Sequence, residues 1–371
     1  MFGTGLTQLI PEPFRKPVAQ RIHRALELGF RLLPKKPNSN VSRPHPSDVT
    51  ISGSQPLAKL RADDLIGSID EVGSGSHASD STVDGAAPFT KYNLDDFIKQ
   101  IDEVGDPSLA AADFALKHFS YKRTVVVDDR LDPYSDQYWN QQIDLYREIT
   151  GRELDQGSNE LVQFDLDAHV GTLNSYASTD PKRMVIHYAR LSKLIKHAAL
   201  PDNARVLDLG CGWGLSSEFL AMLGCRVTAV DINEKFVELV KRRSHRMNYG
   251  IKAIHSGFDD LHLNETFDLI LFYECLHHAV KPWELLQKVS SWLSPRGKIA
   301  LAGEPIQNIW WRSWGLRLDG LSVYCMRKFG WFENGWSKDF IIDALSRCGL
   351  IVDYKDDVDP DVGPIIIATR R

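Results

Sequence analysis

The stretch VLDLGCGWG at residues 206–214 decides the fold of this chain. Its apolar half predicts a short buried strand over Arg205–Leu209, and its glycines predict a tight turn that leads into a helix. Gly210 and Gly212 allow backbone N–H groups to come close to a ligand, and Gly214 lets the helix pack against the strand. A strand, a glycine turn and a helix in this order place the turn at the carboxyl edge of a doubly wound sheet, where such sheets bind ligands.

Short apolar strands alternate with amphipathic helices from Pro201 onward, a pattern typical of a parallel sheet with helices on both faces. The predicted strands are Arg205–Leu209, Cys225–Asp231, Lys252–His255, Phe267–Tyr273, Lys298–Ala302, Ile351–Tyr354 and Ile365–Thr369, and the predicted helices lie near 214–223, 234–247, 281–293 and 338–348. The polar stretch 355–364 is too short for a helical crossover, so the last two strands should form an antiparallel hairpin. The sequence therefore predicts a Rossmann-like α/β sheet of seven strands that ends in a hairpin.

Three further regions precede this sheet. Residues 15–36 have the pattern of a basic amphipathic helix, suited to an anionic membrane surface, to a partner's groove, or to packing on the chain itself. The next region is rich in Ser, Gly, Pro and Asp and predicts a disordered linker, and the third has mainly helical patterns. The predicted regions are 1–36 for the basic helix, 37–90 for the linker, 91–200 for the helical part and 201–371 for the α/β domain.

One segment occurs twice. DDLIGSIDEVG at residues 63–73 returns as DDFIKQIDEVG at residues 95–105. In both copies an acidic pair precedes apolar residues at helical spacing, and a glycine closes the segment. We interpret the pair either as a duplicated helix that docks on one protein partner or as a duplication without a role.

The glycine turn favours an amino-acid ligand over a dinucleotide. A dinucleotide loop needs a third glycine at position 215, where this chain has Leu215. Asp208 precedes the turn instead and is able to accept a hydrogen bond from an ammonium group. Asp231 closes the second predicted strand, where an acidic residue is able to hold both hydroxyls of a ribose.

With these motifs in place, residues 200–371 resemble the class I S-adenosylmethionine (SAM)-dependent methyltransferases. The resemblance covers the glycine loop, Asp231 and the segment FDLILFYECLHHA at 267–279. It implies SAM as the cofactor, and a site built from four parts of the chain. The implied cofactor-binding residues are Asp208, Gly210, Cys211, Gly212 and Gly214 around the methionine end, Asp231 and Ile232 at the ribose, Phe258 and Asp259 at the adenine, and Tyr273 after the fourth strand.

The segment that follows the fourth strand should face the transferred methyl group. Methyl transfer to a hydroxyl needs a base, and Glu274, His277 and His278 are the candidates. Adjacent histidines also raise the question of a metal ion. Neighbouring side chains on an extended segment point in opposite directions, so we expect no metal there.

Aromatic and charged residues crowd the stretch after the fifth strand. Trp310, Trp311, Trp314 and Trp331 offer flat apolar faces, and Arg317, Asp319 and Glu333 offer hydrogen-bonding groups. Together with the pattern YWxxQxxxY at 138–146, this stretch is similar to methyltransferases of bacterial surface-glycan synthesis. The similarity implies O-methylation of a sugar or glycan intermediate.

Two other interpretations stay open. In the first, the aromatic stretch closes a hydrophobic pocket for a lipid or aromatic acceptor. In the second, the chain is a non-catalytic SAM-binding scaffold whose acidic repeats recruit partners. The net charge of −5 and the lack of a basic stripe outside the first helix argue against nucleic acid as a partner. We predict a cytoplasmic protein, because the 5 cysteines are scattered, no apolar run reaches 18 residues and prolines interrupt the N-terminus. The basic helix adds the option of peripheral contact with the inner membrane surface.

Overall fold

The computed structural model describes residues 88–104, 110–307, 309–356 and 359–370, with side chains from 114 onward in the second range. These ranges belong to one compact unit that spans 58–371. The predicted basic helix, nearly all of the predicted linker and the first copy of the repeat lie outside the described residues. No helix in the described ranges is both long and apolar enough to cross a membrane.

Helices dominate the part of the described chain that precedes the sheet, as the sequence pattern predicted. Ser135 caps α3 by accepting from the Tyr138 N–H at 3.2 Å, and Pro181 occupies the first turn of α6. The helices are α1 (Leu94–Val104), α2 (Ala110–Lys117), α3 (Asp136–Thr150), α4 (Gln156–Asn159), α5 (Leu166–Val170) and α6 (Pro181–Ala198).

A seven-stranded sheet forms the centre of the fold, with the strand order β3-β2-β1-β4-β5-β9-β8. The five strands from β3 to β5 in that order pair in parallel, whereas β9 runs antiparallel to both β5 and β8. This arrangement confirms the predicted α/β class and the terminal hairpin. The strands are β1 (Arg205–Leu209), β2 (Arg226–Asp231), β3 (Lys252–His255), β4 (Phe267–Tyr273), β5 (Leu293–Ala302), β8 (Leu350–Lys355) and β9 (Ile365–Arg370).

One predicted strand start was wrong by more than one residue. The sequence placed the start of β5 at Lys298 because Pro295 and Gly297 interrupt the apolar run, but the strand begins at Leu293. A register shift between Phe267 and Leu269 of the neighbouring β4 absorbs the interruption. A proline is tolerated in a strand at such an irregularity.

The helices of the α/β part lie close to their predicted positions, and a short 3₁₀ turn follows β4 at Leu276–His278. Three elements were not predicted: the short strands β6 and β7, which pair antiparallel, and the helix α10 between them. The elements are α7 (Leu215–Met222), α8 (Glu234–Met247), α9 (Pro282–Ser290), β6 (Trp314–Leu316), α10 (Gly320–Phe329), β7 (Asn334–Trp336) and α11 (Lys338–Arg347).

The insertion, which we define as residues 303–337 between β5 and α11, rests on α3. The Tyr138 hydroxyl donates to the Trp314 carbonyl, and the Tyr146 hydroxyl donates to the Gly330 carbonyl at 2.6 Å. Gln142 Oε1 accepts from the Leu316 N–H at 3.0 Å. The side chains of the pattern at 138–146 therefore hold the insertion through hydrogen bonds to its backbone.

The second copy of the repeated segment is part of this fold. Leu94, Phe97 and Ile101 on the apolar face of α1 are at most 1% exposed. Phe97 and Ile101 share a hydrophobic cluster with residues of α10, and Arg327 donates to both carboxylate oxygens of Asp95 at 2.8 and 2.9 Å. The apolar face of this copy is therefore used within the chain itself.

Candidate functional site

A cavity opens at the carboxyl edge of the sheet, where the loops after β1, β2, β3 and β4 meet. The region around α4 and the insertion cover it from the other side. We call it the central cavity, and its lining residues are Gln156, Glu160, Val162, Gly210, Gly212, Trp213, Asp231, Ile232, Phe236, Ser256, Phe258, Glu274, Cys275, His277, His278, Arg317, Leu321, Ser322, Cys325, Trp331 and Glu333.

The glycine loop forms one wall of the central cavity. Gly210 has a φ of 60°, and a Cβ there would lie 2.7 Å from the Cβ of Cys275. Gly212 also has a positive φ, of 48°, but a Cβ there would meet no atom within 4 Å. The left-handed backbone explains why both positions are glycine, and the open space beside Gly212 leaves room for a ligand.

Asp231 ties the glycine loop to the end of β2. Its two carboxylate oxygens accept from the Gly212 N–H and the Asn233 N–H, each at 2.8 Å. Burial raises the pKa of Asp231 to about 6, and the two backbone donors act against that rise. Each oxygen keeps a second lone pair, so the carboxylate is able to accept further hydrogen bonds. Ile232 lies beside it on the cavity wall.

Asp208 lies behind the glycine loop rather than on the cavity wall. Its Oδ2 accepts from the hydroxyls of Ser216 and Ser217, at 2.7 and 2.5 Å. Its Oδ1 is buried and has no hydrogen-bond partner within the described part of the chain. Burial raises the pKa of Asp208 to about 6. A buried acceptor without a donor costs free energy, so this atom fits a ligand that brings a donor.

Four other residues predicted to bind the cofactor are not among those that line the central cavity. Cys211 is buried in a small cluster with Ala229 and Val240. A Cβ on Gly214 would lie 2.7 Å from Val240 Cγ2, so this glycine allows α8 to approach rather than a strand. The Tyr273 hydroxyl bonds His187 Nδ1 at 2.7 Å, and Asp259 is exposed to solvent.

At the predicted adenine end of the site, Phe258 and Ser256 both line the central cavity. Phe258 is also fixed through its backbone, because its carbonyl accepts from Lys288 Nζ at 3.0 Å. Sequence reasoning passed over Ser256 because it sought an acidic side chain at this place.

Glu274 reaches the cavity from the first position after β4. Its Oε1 forms a buried ion pair with Arg190, while its Oε2 is buried without a hydrogen-bond partner in the described residues. Its φ of 55° is unusual for a residue other than glycine. Burial raises the pKa of Glu274 to about 7, and Arg190 opposes that rise.

His277 is held by Glu304, a residue to which the sequence assigned no role. Glu304 accepts from the backbone N–H groups of Cys275, Leu276 and His277 at 2.9–3.1 Å, and its Oε2 lies 3.0 Å from His277 Nδ1. This contact leaves His277 Nε2 directed at Glu333 Oε2, 3.9 Å away. Burial lowers the pKa of His277 to about 4, so its imidazole is neutral near pH 7.

His278 faces a second carboxylate that sequence reasoning missed. Its Nδ1 lies 3.6 Å from Glu160 Oε2 and is buried without a hydrogen-bond partner in the described ranges. Glu160 in turn accepts from the Phe332 N–H at 3.0 Å. Burial lowers the pKa of His278 to about 4. No motif signals Glu160, because it comes from the helical region far from the sheet in sequence.

The predicted opposite orientation of the His277 and His278 side chains was wrong. The prediction assumed an extended segment, whereas both residues lie on the 3₁₀ turn. Their ring centroids are 4.2 Å apart, and one ligand atom each from His277, His278 and Glu333 lie within 4.8 Å of one another. We call these three residues the histidine cluster.

The insertion contributes less aromatic surface to the central cavity than its sequence suggested. Trp331 lines the cavity, but Trp311 and Trp314 are 5% and 0% exposed and belong to the main hydrophobic core. Trp310 packs against the same core. Of the three charged residues, Glu333 and Arg317 line the cavity, whereas Asp319 does not and accepts from Arg317 Nε at 3.0 Å.

Part of the central cavity lies in a segment that matches a known family. Residues 207–301 match a family described as a methyltransferase domain. This segment begins within β1, just before the glycine loop, and ends within β5, and it contains Asp231 and the 3₁₀ turn.

Relatives among curated proteins match part of this chain. The chain is 30% identical over 151 residues to the ubiquinone biosynthesis O-methyltransferase of Xanthomonas axonopodis pv. citri. The aligned segment covers 39% of this chain and 62% of that protein. The chain is 31% identical over 150 residues to the protein of the same name from Xanthomonas campestris pv. campestris, again with 39% and 62% covered. The chain thus spans 62% of the length of these relatives.

Solved structures show weaker similarity. Coclaurine N-methyltransferase bound to N-methylheliamine and SAH aligns with a TM-score of 0.47 at 18% identity, over 72% of this chain and 77% of that one. The 1,6-didemethyltoxoflavin-N1-methyltransferase of Burkholderia thailandensis aligns with a TM-score of 0.39 at 19% identity, over 50% and 78%.

Proposed function

We propose that this chain, whose residues 207–301 match a methyltransferase domain, transfers the methyl group of SAM to an oxygen atom of a small acceptor molecule. One observation carries the proposal. In that segment, a glycine loop with open space beside Gly212 and the carboxylate of Asp231 line the same cavity, at the sheet edge where this fold class binds nucleotides.

The residues present fit SAM. When bound, SAM would supply a methyl group on a positively charged sulfonium sulfur. That sulfur is a good leaving group because it departs as the neutral thioether of SAH. Gly210 and Gly212 on the cavity wall would lie beside the methionine end of SAM, with the buried carboxylate of Asp208 behind them. Asp231 with its free lone pairs suits the two ribose hydroxyls, and Phe258 suits the adenine plane.

Glu274 is our choice of base among the three candidates. A general base works best when its pKa lies near the working pH, and burial brings the pKa of Glu274 to about 7. The pKa values of His277 and His278 are about 4, which makes their imidazoles weaker bases. Glu274 Oε2 has no other partner in the described residues, and it is the atom that would take the proton of the acceptor hydroxyl.

The acceptor that we propose is a sugar or glycan intermediate. Near the insertion the cavity combines Trp331 with Glu160, His278, Arg317 and Glu333. An aromatic plane suits the C–H face of a sugar ring, and the charged groups suit its hydroxyls. An oxygen acceptor also agrees with the names of the O-methyltransferase relatives.

A small aromatic or lipid hydroxyl is the second candidate. The relatives are named for ubiquinone biosynthesis, and the cavity wall includes the apolar residues Val162, Phe236, Leu321 and Cys325. Such a wall would hold an apolar ring or chain.

The basic sequence of residues 15–36 supports a separate proposal of peripheral contact with an anionic membrane surface. Co-sedimentation with vesicles that contain anionic lipid tests it. We expect the full chain to sediment and a chain that lacks residues 1–36 to stay in solution. Equal behaviour of the two chains would contradict the proposal.

Methyl transfer can be tested with SAM that carries an isotopically labelled methyl group. The full chain is incubated with this SAM and with separate glycan and lipid extracts of the source cell, and products are identified by mass spectrometry. We expect label in a methyl ether of the glycan fraction, and much less label with Asp231→Asn when SAM is kept near its Kd for the wild type. Label in the lipid or quinone fraction would favour the second acceptor, and no label in any fraction would contradict the enzyme proposal.

A further inference from the structure

We propose that the histidine cluster binds one divalent transition-metal cation, with His277, His278 and Glu333 as its ligands. The three candidate ligand atoms come from two parts of the chain, the 3₁₀ turn after β4 and the residue just before β7. They lie within 4.8 Å of one another. A cation at the centre of such a set needs only small side-chain movements to reach ligand distances of about 2.0–2.2 Å.

The surroundings of His277 resemble those of a metal ligand. Its Nδ1 contacts Glu304 Oε2 at 3.0 Å, and three backbone N–H groups fix Glu304. Metal-binding histidines usually donate their second ring N–H to a carboxylate, which sets the tautomer and orients the other nitrogen. The same contact here leaves Nε2 for the cluster.

His278 and Glu333 have binding capacity that the described residues do not use. His278 Nδ1 is buried and lies 3.6 Å from the Glu160 carboxylate, which is beyond hydrogen-bond distance. Glu333 is 5% exposed, and its Oε2 lies 3.9 Å from both His277 Nε2 and Arg317 Nη1. These separations are long for hydrogen bonds and leave space between the groups.

The charge around the cluster also favours a cation. Glu160, Glu304 and Glu333 are three mostly buried carboxylates around two histidines. Arg317 is a cation beside the cluster, with its Nε engaged with Asp319 at 3.0 Å and its Nη1 3.9 Å from Glu333 Oε2. Buried carboxylates are stable when they are paired or bound to a metal.

The donor set indicates the kind of metal. Two imidazoles and one carboxylate suit Zn²⁺, Mn²⁺, Fe²⁺ or Co²⁺, whereas Mg²⁺ and Ca²⁺ prefer oxygen ligands. Three protein ligands leave a coordination position for water or for an acceptor oxygen. A role in holding the acceptor hydroxyl near Glu274 rests on the proposed methyl transfer, but the binding of the cation does not.

The test uses the full chain, stripped of metal with a chelator and titrated with Co²⁺ or Zn²⁺ alone, without SAM. We expect one ion per chain by elemental analysis and a visible Co²⁺ absorption band. His278→Ala and Glu333→Gln should each weaken binding by at least about tenfold and remove the band. The matched controls are His262→Ala and Glu284→Gln, which change exposed residues outside the cavity and should bind like the wild type.

Circular dichroism ensures that only folded variants are compared, and His278 is the safer position because its side chain is 24% exposed. A wild-type chain that retains no ion would overturn the proposal. Equal affinity in wild type, His278→Ala and Glu333→Gln would overturn it as well, and would leave Glu333 as the ion-pair partner of Arg317. Because SAM is absent from this titration, its failure would not bear on methyl transfer.

Discussion

Asp231 is the residue on which cofactor binding most depends, because it both shapes the glycine loop and faces the cavity. We predict that Asp231→Asn weakens SAM binding by about tenfold to a hundredfold. The reason is that hydrogen bonds to a charged group contribute about 1.5–3 kcal/mol. Isothermal titration calorimetry measures the change. Asp202→Asn, an exposed aspartate just before β1, is the matched control and should bind SAM normally; unchanged affinity in Asp231→Asn would remove the ribose assignment.

Glu274 gives a prediction on pH. A base must be deprotonated to work, so kcat/KM should rise as the pH increases through about 7, the pKa to which burial raises Glu274. Glu274→Gln keeps a side-chain oxygen for Arg190 but cannot take a proton. We predict that it lowers kcat by about a hundredfold or more and flattens this rise, with SAM affinity largely retained.

Stopped assays with labelled SAM over a pH series measure both effects. If Glu274→Gln turned over normally, or if its profile kept the same inflection, another group would be the base.

Among single residues, Gly212 and Asp231 line the same cavity as the sequence predicted, because each is tied to the strand–turn–helix geometry within a few positions, whereas Asp208 lies behind the loop. Glu160 and Glu304 could not be located in the same way. They meet the histidines only through the fold, one from the helical region and one from the end of β5. The exposure of Asp259 shows the limit of carrying over a family position where the local spacing differs.

The close packing of α7 against α8 at Gly214 can be tested by substitution. Gly214 and Gly224 both have positive φ, of 84° and 90°, but a Cβ would meet Val240 at 2.7 Å only at the first of these two positions. We predict that Gly224→Ala lowers the free energy of unfolding by about 1–2 kcal/mol through backbone strain. Gly214→Ala should lower it by about 1–3 kcal/mol more through overpacking.

Urea unfolding compares the two variants. The double change Gly214→Ala with Val240→Ala separates the causes, since removal of the Val240 methyl groups should restore part of the lost stability relative to Val240→Ala alone. Equal destabilisation by the two single glycine variants would contradict the packing explanation.

Elements with a clear apolar period were predicted well, as the bounds of β1, β3 and β4 show. The strands β6 and β7 have three residues each, too few for a period to be recognised, and α10 between them was missed for lack of those boundaries. The 3₁₀ turn at Leu276–His278 was read as extended because a three-residue turn leaves no periodic signal.

In the whole molecule, the sheet supplies one half of the central cavity, and the helical region with the insertion supplies the other. Tyr146 connects those two covering parts through its hydrogen bond to the Gly330 carbonyl. We predict that Tyr146→Phe destabilises the protein by about 1 kcal/mol. It should also raise KM for the acceptor more than KM for SAM, because the glycine loop lies on the sheet.

Steady-state kinetics with each substrate varied in turn measure this split. An equal rise in both KM values would show that the insertion does not position the acceptor separately. Sequence reasoning found the α/β domain and its loop but not this closure, because the contacts join residues that are far apart in the chain.

The central claim is that the central cavity binds SAM through its glycine loop and Asp231. Calorimetric titration of the full chain with SAH, the demethylated product of SAM, and separately with NAD⁺ tests it most directly. We predict one SAH bound per chain and no measurable binding of NAD⁺. Binding of NAD⁺ without binding of SAH would contradict the account.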